Sequence, residues 1–350
     1  MISDISSFDY YFEILYNKYI DEYFNNEEIS IMDINSAHNA IKHLFVIGNG
    51  FDCYLHMLPT RYADFRDYVL SLYPDAINYD GFIPSLYTLP DGSDQFNMEE
   101  VAGFIVKIID DCEGDKWSDL ETALGDSIFD QIDYYLDDID WDGPDKEIRH
   151  AIYNNEDNST NIRYAFVLIK ELFCGWVDNI LADLDFSKRR KEFVHDVIKD
   201  GDGFLNFNYS MTLEELYKIP SDSVCHIHGR VGDTFNNIFF GHGDDEPYQE
   251  TSRNLGADLY LNALKTELRK NTRDALHNNI DFFNRIKNTE TIHSFGFSFS
   301  KVDMIYIEEI AQRVDKTKVI WYLNSFDGND KTIIKKLERL GFKVYIDSRW

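Results

Sequence analysis

At 350 residues the chain can build one large domain carrying an insertion, or two modest ones, so core size does not constrain the fold. Its 34 Lys and Arg against 63 Asp and Glu leave a formal charge of −29, which opposes contact with a phosphate backbone and disfavours nucleic acid as a partner. With 44% apolar and 15% aromatic residues, the acidity belongs to a folded surface and not to a disordered chain.

Residues 1–40 alternate aromatic and acidic positions. Phe8, Tyr11, Leu15 and Tyr19 fall near helical spacing and predict an N-terminal helical extension, packed on its own domain or used as an oligomer contact. The opening residues lack the basic start and apolar stretch of a secretory leader. No apolar run approaches a membrane span, and Cys53, Cys112, Cys174 and Cys225 are widely spaced with no C-x-x-C. A reducing, cytoplasmic setting without structural zinc is therefore expected.

His43–Ile47 then reads as a strand, Gly48-Asn49-Gly50 as a turn, and a helix is expected from near Thr60, which is how many nucleotide-binding α/β folds begin. Residues 71–200 read as a large helical insertion, rich in acids and aromatics and broken at Pro84, Pro90, Gly92, Asp142-Gly143-Pro144 and an Asn-rich stretch. Short apolar runs return at 204–207, 224–227, 238–240, 291–295, 318–322 and 342–346, with helical candidates at 211–217, 256–286, 302–314 and 329–339. The expected fold is a Rossmann-like parallel α/β sheet with helices on both faces, interrupted after its first βα unit by the insertion. The whole forms one α/β domain over 41–350.

In such a sheet, ligands bind beyond the carboxyl ends of the strands. The Gly48-Asn49-Gly50 turn suits close backbone approach to a phosphate, Asn49 tolerates left-handed angles, and Asp52 can accept from loop amides or a ribose; an ordinary tight turn is the alternative. Asn208 follows the second run, where its amide can both donate and accept, or simply cap a helix. His226 and His228 share a strand face that would suit a metal, but no third ligand is at hand in the sequence. His228, before Gly229, is the better catalytic candidate. Gly241-His242-Gly243, Gly296 with Ser298, Asp303 at a helix start, and Asn324 extend the row of polar strand ends. Ser118 and Glu121 match a capping box, which favours structure over a cleft-facing role for Glu121. Lys265 and Lys270 read as a solvated helix face or a phosphate contact.

Several of these segments, in order, resemble the AbiH family of bacterial phage abortive-infection proteins: Gly48-Asn-Gly-Phe-Asp52, Leu58-Pro-Thr60-Arg-Tyr-Ala-Asp-Phe65, Trp117-Ser-Asp-Leu-Glu121, Phe207-Asn-Tyr209, His228-Gly229, and Gly296-Phe-Ser298 with Asp303. Members often have glycine where this chain has Met57. More distantly, the same order is similar to the sirtuin-type NAD-binding fold. That resemblance implies catalytic roles for Asn208 and His228 and cofactor contacts from Gly48, Gly50, Gly296 and Ser298; Asn49, Asp52, Thr60, Asp303 and Asn324 complete the expected set of cofactor contacts. Deacylating sirtuins carry a four-cysteine zinc module, which this chain lacks, so the resemblance implies the branch that cleaves NAD in phage defence. The expected activity is hydrolysis of NAD to nicotinamide and ADP-ribose, with NAD as substrate and neither a metal nor a second cofactor, in a homo-oligomer answering to a phage trigger protein. A nucleotide-sensing module without turnover and a nuclease or phosphohydrolase toxin are the alternatives.

Overall fold

The computed structural model describes residues 40–347 apart from 82, 113–116, 126, 182–183, 187–200, 244–245, 247 and 249–251. The helix expected within residues 1–40 lies outside the described residues.

The first strand, β1 (His43–Ile47), is followed by a short π-type turn, Phe51–Leu55, and then by α1 (Tyr62–Leu72), where the Arg61 N–H donates to Asp64 Oδ2 at 2.8 Å. A small hairpin, β2 (Leu86–Thr88) and β3 (Asp94–Phe96), turns at Gly92, whose φ of +85° suits a residue without a Cβ. Helices α2 (Met98–Asp110), α3 (Trp117–Ala123), α4 (Ser127–Asp133) and the 32-residue α5 (Asp145–Trp176) complete this run of chain. Next come β4 (Gly203–Asn206), α6 (Thr212–Tyr217), β5 (Val224–His226), α7 (Asp258–Glu267), α8 (Thr272–Asn278), α9 (Ile280–Arg285), β6 (Thr291–Phe295), α10 (Met304–Arg313), β7 (Ile320–Asn324), α11 (Lys331–Arg339) and β8 (Lys343–Asp347).

Six strands form one parallel sheet in the order β5-β4-β1-β6-β7-β8. The chain leaves β1 to build one half and returns beside β1, at β6, to build the other. This doubly wound order has its switch point between β1 and β6.

The central strands are apolar on both faces because both are covered. Along β1, Leu44 and Val46 join a core with Ile292, Trp321, Phe283 and Ile307, whereas Phe45 and Ile47 face the other way, against Phe204 and Leu213. On that second face the register aligns Phe204, Phe45, His293, Tyr322 and Tyr345 as direct cross-strand neighbours. Successive ring centroids lie 5.0, 5.1, 5.0 and 6.1 Å apart, an aromatic ladder that fixes the register of five strands. A separate core, with Phe65, Phe104, Phe166, Phe173 and Trp176, fills the space between the helices of residues 62–181 and α7.

Three sequence expectations change. The 238–240 run makes no strand; its Phe239 N–H donates to His228 O, and beside it only an isolated bridge forms, between His242 and Arg269. The 256–286 stretch breaks into three helices, because the Asn271 side chain accepts from the Asp274 N–H and starts α8 afresh. The region read as a helical insertion also contains the β2–β3 hairpin. No helix among the described residues is long and apolar enough to cross a membrane.

Candidate functional site

A cleft of about 240 Å³ opens over the carboxyl ends of the strands, at the switch point. That is many times the space of a single water. Its back wall is a contact between three glycines. Gly48 N–H donates to Phe295 O at 2.9 Å and Gly50 N–H to Gly296 O at 3.0 Å, so the β1 and β6 loops continue the sheet ladder past its end. A Cβ at Gly48 would lie 2.4 Å from Gly296 O, and one at Gly50 would lie 2.6 Å from Gly296 Cα. The glycines therefore serve backbone-on-backbone packing. Gly50 has ordinary right-handed angles, φ −60° and ψ −26°, and Asn49 is absent from the positive-φ positions, so its tolerance of left-handed angles is not used. Met57 does stand at φ +53°, where a glycine would fit without strain.

The cleft gathers Gly48, Asn49, Gly50, Asp52, Thr60, Asn208, His228, Gly296, Ser298 and Asp303, from segments as far apart in sequence as Gly48 and Asp303. Asn208 is buried. Its Nδ2 donates to Gly48 O at 3.1 Å and its own N–H to Asn206 Oδ1 at 3.1 Å, while its Oδ1 has no hydrogen-bond partner among the described residues. An acceptor held rigidly and unused in a cleft is a ready ligand contact. Asp52, fully buried, accepts from Ser210 Oγ through Oδ2 and leaves Oδ1 without a partner; burial, opposed by the Ser210 and Thr212 hydroxyls, pushes its carboxyl up to about 6.

Asn324 is not part of the lining. Its Oδ1 accepts from the Phe326 and Asp327 N–H groups and its Nδ2 donates to Asp327 Oδ2, which in turn accepts from the Gly296 N–H at 2.8 Å. Asn324 thus shapes the loop that holds Gly296 and does not itself reach the cleft. Nor does His242 reach it, its Nε2 lying 2.8 Å from Lys265 O.

The floor of the cleft is a chain of buried charges. Lys270 Nζ donates to Glu121 Oε1 at 2.8 Å and to Asp303 Oδ1 at 3.1 Å, and His228 Nε2 lies 3.3 Å from the same Asp303 oxygen without a well-aligned hydrogen bond. Burial and then the Lys270 ammonium push His228 down to about 4, against the Asp303 carboxylate and the Phe207 carbonyl, so the imidazole is neutral at pH 7. Burial works against the charges of Asp303 and Lys270, yet each holds the other ionised, and Asp303 stays well below the usual carboxylate range. Burial dominates at Glu121 and carries it up to about 7.

Two sequence readings are therefore revised. Lys270 is buried in the site and is not on a solvated helix face, and Glu121 faces the cleft, so its role is more than capping. His226 and His228 part company because the strand ends at His226; its Nε2 lies 2.9 Å from Glu214 Oε1, away from the cleft. Among the described residues no group of three or more His, Cys, Asp or Glu is arranged to hold a metal ion. Sequence reasoning passed over Tyr54, Phe326 and Arg61 at the cleft mouth. Tyr54 and Phe326 are 51% and 71% exposed with ring centroids 5.8 Å apart, and the Arg61 guanidinium sits 5.4 Å from the Tyr54 ring. In a chain with 15% aromatic residues, nothing local in the sequence sets these two apart.

This sheet order, with a cleft across its switch point, defines a Rossmann-like α/β protein. The family model described as "Bacteriophage abortive infection AbiH" matches residues 44–325, and the chain belongs to that family. Its role is accordingly in phage abortive infection. No curated protein and no solved structure gives a significant match.

Proposed function

We propose that the protein hydrolyses NAD, or a closely related dinucleotide, to nicotinamide and ADP-ribose. The observation that carries this reading is the pairing of a neutral, buried His228 with the unused Oδ1 of Asn208 at the switch-point cleft. Breaking the bond between ribose and nicotinamide needs a developing positive charge to be stabilised and a water to be aimed at the sugar; the leaving group departs neutral and needs no acid. A neutral imidazole can take the proton of that water, and Asp303 beside it stabilises the imidazolium that results. Asn208 positions a ribose hydroxyl or the water. The cleft volume approaches the lower end of small-molecule sites, about 300 Å³, and the aromatic mouth offers a stacking surface for the part of the ligand that lies outside. An anionic dinucleotide needs only loop amides and a few polar groups, so the charge of −29 is compatible with it.

The test incubates phage-triggered protein with NAD and follows nicotinamide by chromatography, with His228→Ala and Asn208→Ala in parallel. Each variant is expected to lose about a hundredfold or more in rate. No nicotinamide from the activated protein, or full activity in both variants, would sink the proposal; an intact nucleotide recovered from a protein that never turns it over would favour the sensing role instead.

A further inference from the structure

The floor holds more negative charge than its structure requires. Lys270 is buried, its side chain 2% exposed, and one carboxylate would neutralise it; two are supplied, Asp303 and Glu121. A buried excess carboxylate is costly unless something positive comes to meet it. Neither partner is accidental. Asp303 is held additionally by the Ser300 hydroxyl at 3.2 Å, and Glu121 is delivered by α3 into a cleft that also takes Asn208 and Gly296 from the loops after β4 and β6.

Building on the NAD-cleaving reading, we infer that Glu121 is a third catalytic residue, whose carboxylate supplies the negative charge facing the positive pyridinium and, as the bond breaks, the positive ribosyl carbon. Lys270 is a positioning residue: it fixes Glu121 and Asp303 at once and so sets the distance between the carboxylate and the base, His228. In the step itself the bond from the ribose carbon to the nicotinamide nitrogen breaks and its electron pair stays on nitrogen, which leaves uncharged. The water oxygen forms the new bond to that carbon, and its proton passes to His228 and then to solvent. Glu121 exchanges no atom with the substrate.

Glu121 must be ionised to do this. The charged and titratable groups facing it are Lys270, Asp303, Tyr209 and Tyr306, with His228 one step further along the chain of contacts. Burial raises its carboxyl to about 7, and Asp303 adds to the rise while Lys270 opposes it, so activity climbs with pH through the neutral range.

Two measurements on the full chain test the assignment. The first is the pH profile of NAD cleavage. Glu121→Gln keeps Asp303 as the counter-ion of Lys270; it is expected to lower kcat about a hundredfold or more with little change in KM and to lose the limb near pH 7, and Glu121→Asp is expected to recover part of the rate with a shifted limb. The second requires no turnover. Binding of an uncleavable carbocyclic NAD analogue, which keeps the pyridinium charge, is compared by calorimetry with binding of the reduced dinucleotide, whose nicotinamide ring is neutral. The wild type should prefer the charged ligand, and Glu121→Gln should erase about tenfold of that preference.

Wild-type rate and profile in Glu121→Gln, or an unchanged preference, would overturn the role of Glu121 while leaving NAD cleavage standing. A preference that depends on Glu121 in a protein that never releases nicotinamide would keep Glu121 as the recogniser of positive charge and overturn turnover. Binding of neither dinucleotide would remove both.

Discussion

Replacing Gly48 by alanine tests the idea that the back wall of the cleft is a backbone contact. The new Cβ would stand 2.4 Å from Gly296 O and 2.5 Å from Phe297 Cα, about 1 Å inside ordinary contact, and both obstacles are main chain that cannot rotate aside. Overpacking of this kind costs about 1–3 kcal/mol, and with Gly48 and Gly296 both tied into the ladder between β1 and β6 the upper end is expected. At Gly296 the cost should be greater. There the Cβ would come within 2.5 Å of Gly50 Cα and the φ of +63° adds about 1–2 kcal/mol for any residue with a side chain. Gly232 is the control, because it shares a positive φ of +85° but has nothing within 4 Å of its would-be Cβ, so only the angular cost applies. Denaturant unfolding should rank the losses Gly296→Ala, Gly48→Ala, Gly232→Ala, with Gly48→Ala at about 3 kcal/mol. A Gly48→Ala protein within about 0.5 kcal/mol of wild type would refute the close-packing argument and return these glycines to a purely ligand-facing role.

Stability should also report the buried acids and base through pH. His228 is near 4 folded against an ordinary 6.5, so the unfolded chain binds the proton first, and His228 subtracts about 3 kcal/mol as pH falls from 6.5 to 4. Asp52, near 6 against an ordinary 3.8, works in the opposite sense and favours folding by a similar amount as pH falls through 6. Relative to wild type, His228→Gln should therefore gain and Asp52→Asn lose stability between pH 7 and 4.5 in denaturation curves; curves parallel to wild type would contradict the burial assigned to both. At the cleft mouth, Tyr54→Ala with Phe326→Ala should raise KM for NAD about tenfold at unchanged kcat, the loss expected of one base–aromatic stack, and a fall in kcat alone would place the pair elsewhere in the reaction.

Much of the sheet was legible because its strands are short, apolar and bounded by polar loops. β1 and β6 fall where the runs His43–Ile47 and Thr291–Phe295 put them, and β7 is displaced by only two residues. The 238–240 run looked the same locally but sits where no ladder partner is offered, which no local pattern can reveal. At the cleft, residues directly after strands were readable from topology alone, since doubly wound sheets put ligands there. Residues delivered by connections were not. Lys270 is an ordinary lysine in sequence, and only the fold brings Glu121, 149 residues away, within 2.8 Å of it. Asn324 erred the other way: it ends β7 and Asn208 lies just past β4, but the turn after β7 consumes the Asn324 amide in holding Asp327.

The cleft lies along a seam. Trp176 on its wall belongs to the helical core, whereas Phe207, Phe297 and Ile333 on the same wall belong to the core beneath the sheet, and these two clusters are separate. A ligand seated there would act as a rivet across the two hydrophobic clusters. At a hundred times its dissociation constant such a rivet adds about 2.7 kcal/mol of resistance to unfolding. On the proposed reading that this ligand is also the substrate, its cleavage would withdraw the rivet and tie the lifetime of the folded molecule to the supply of NAD.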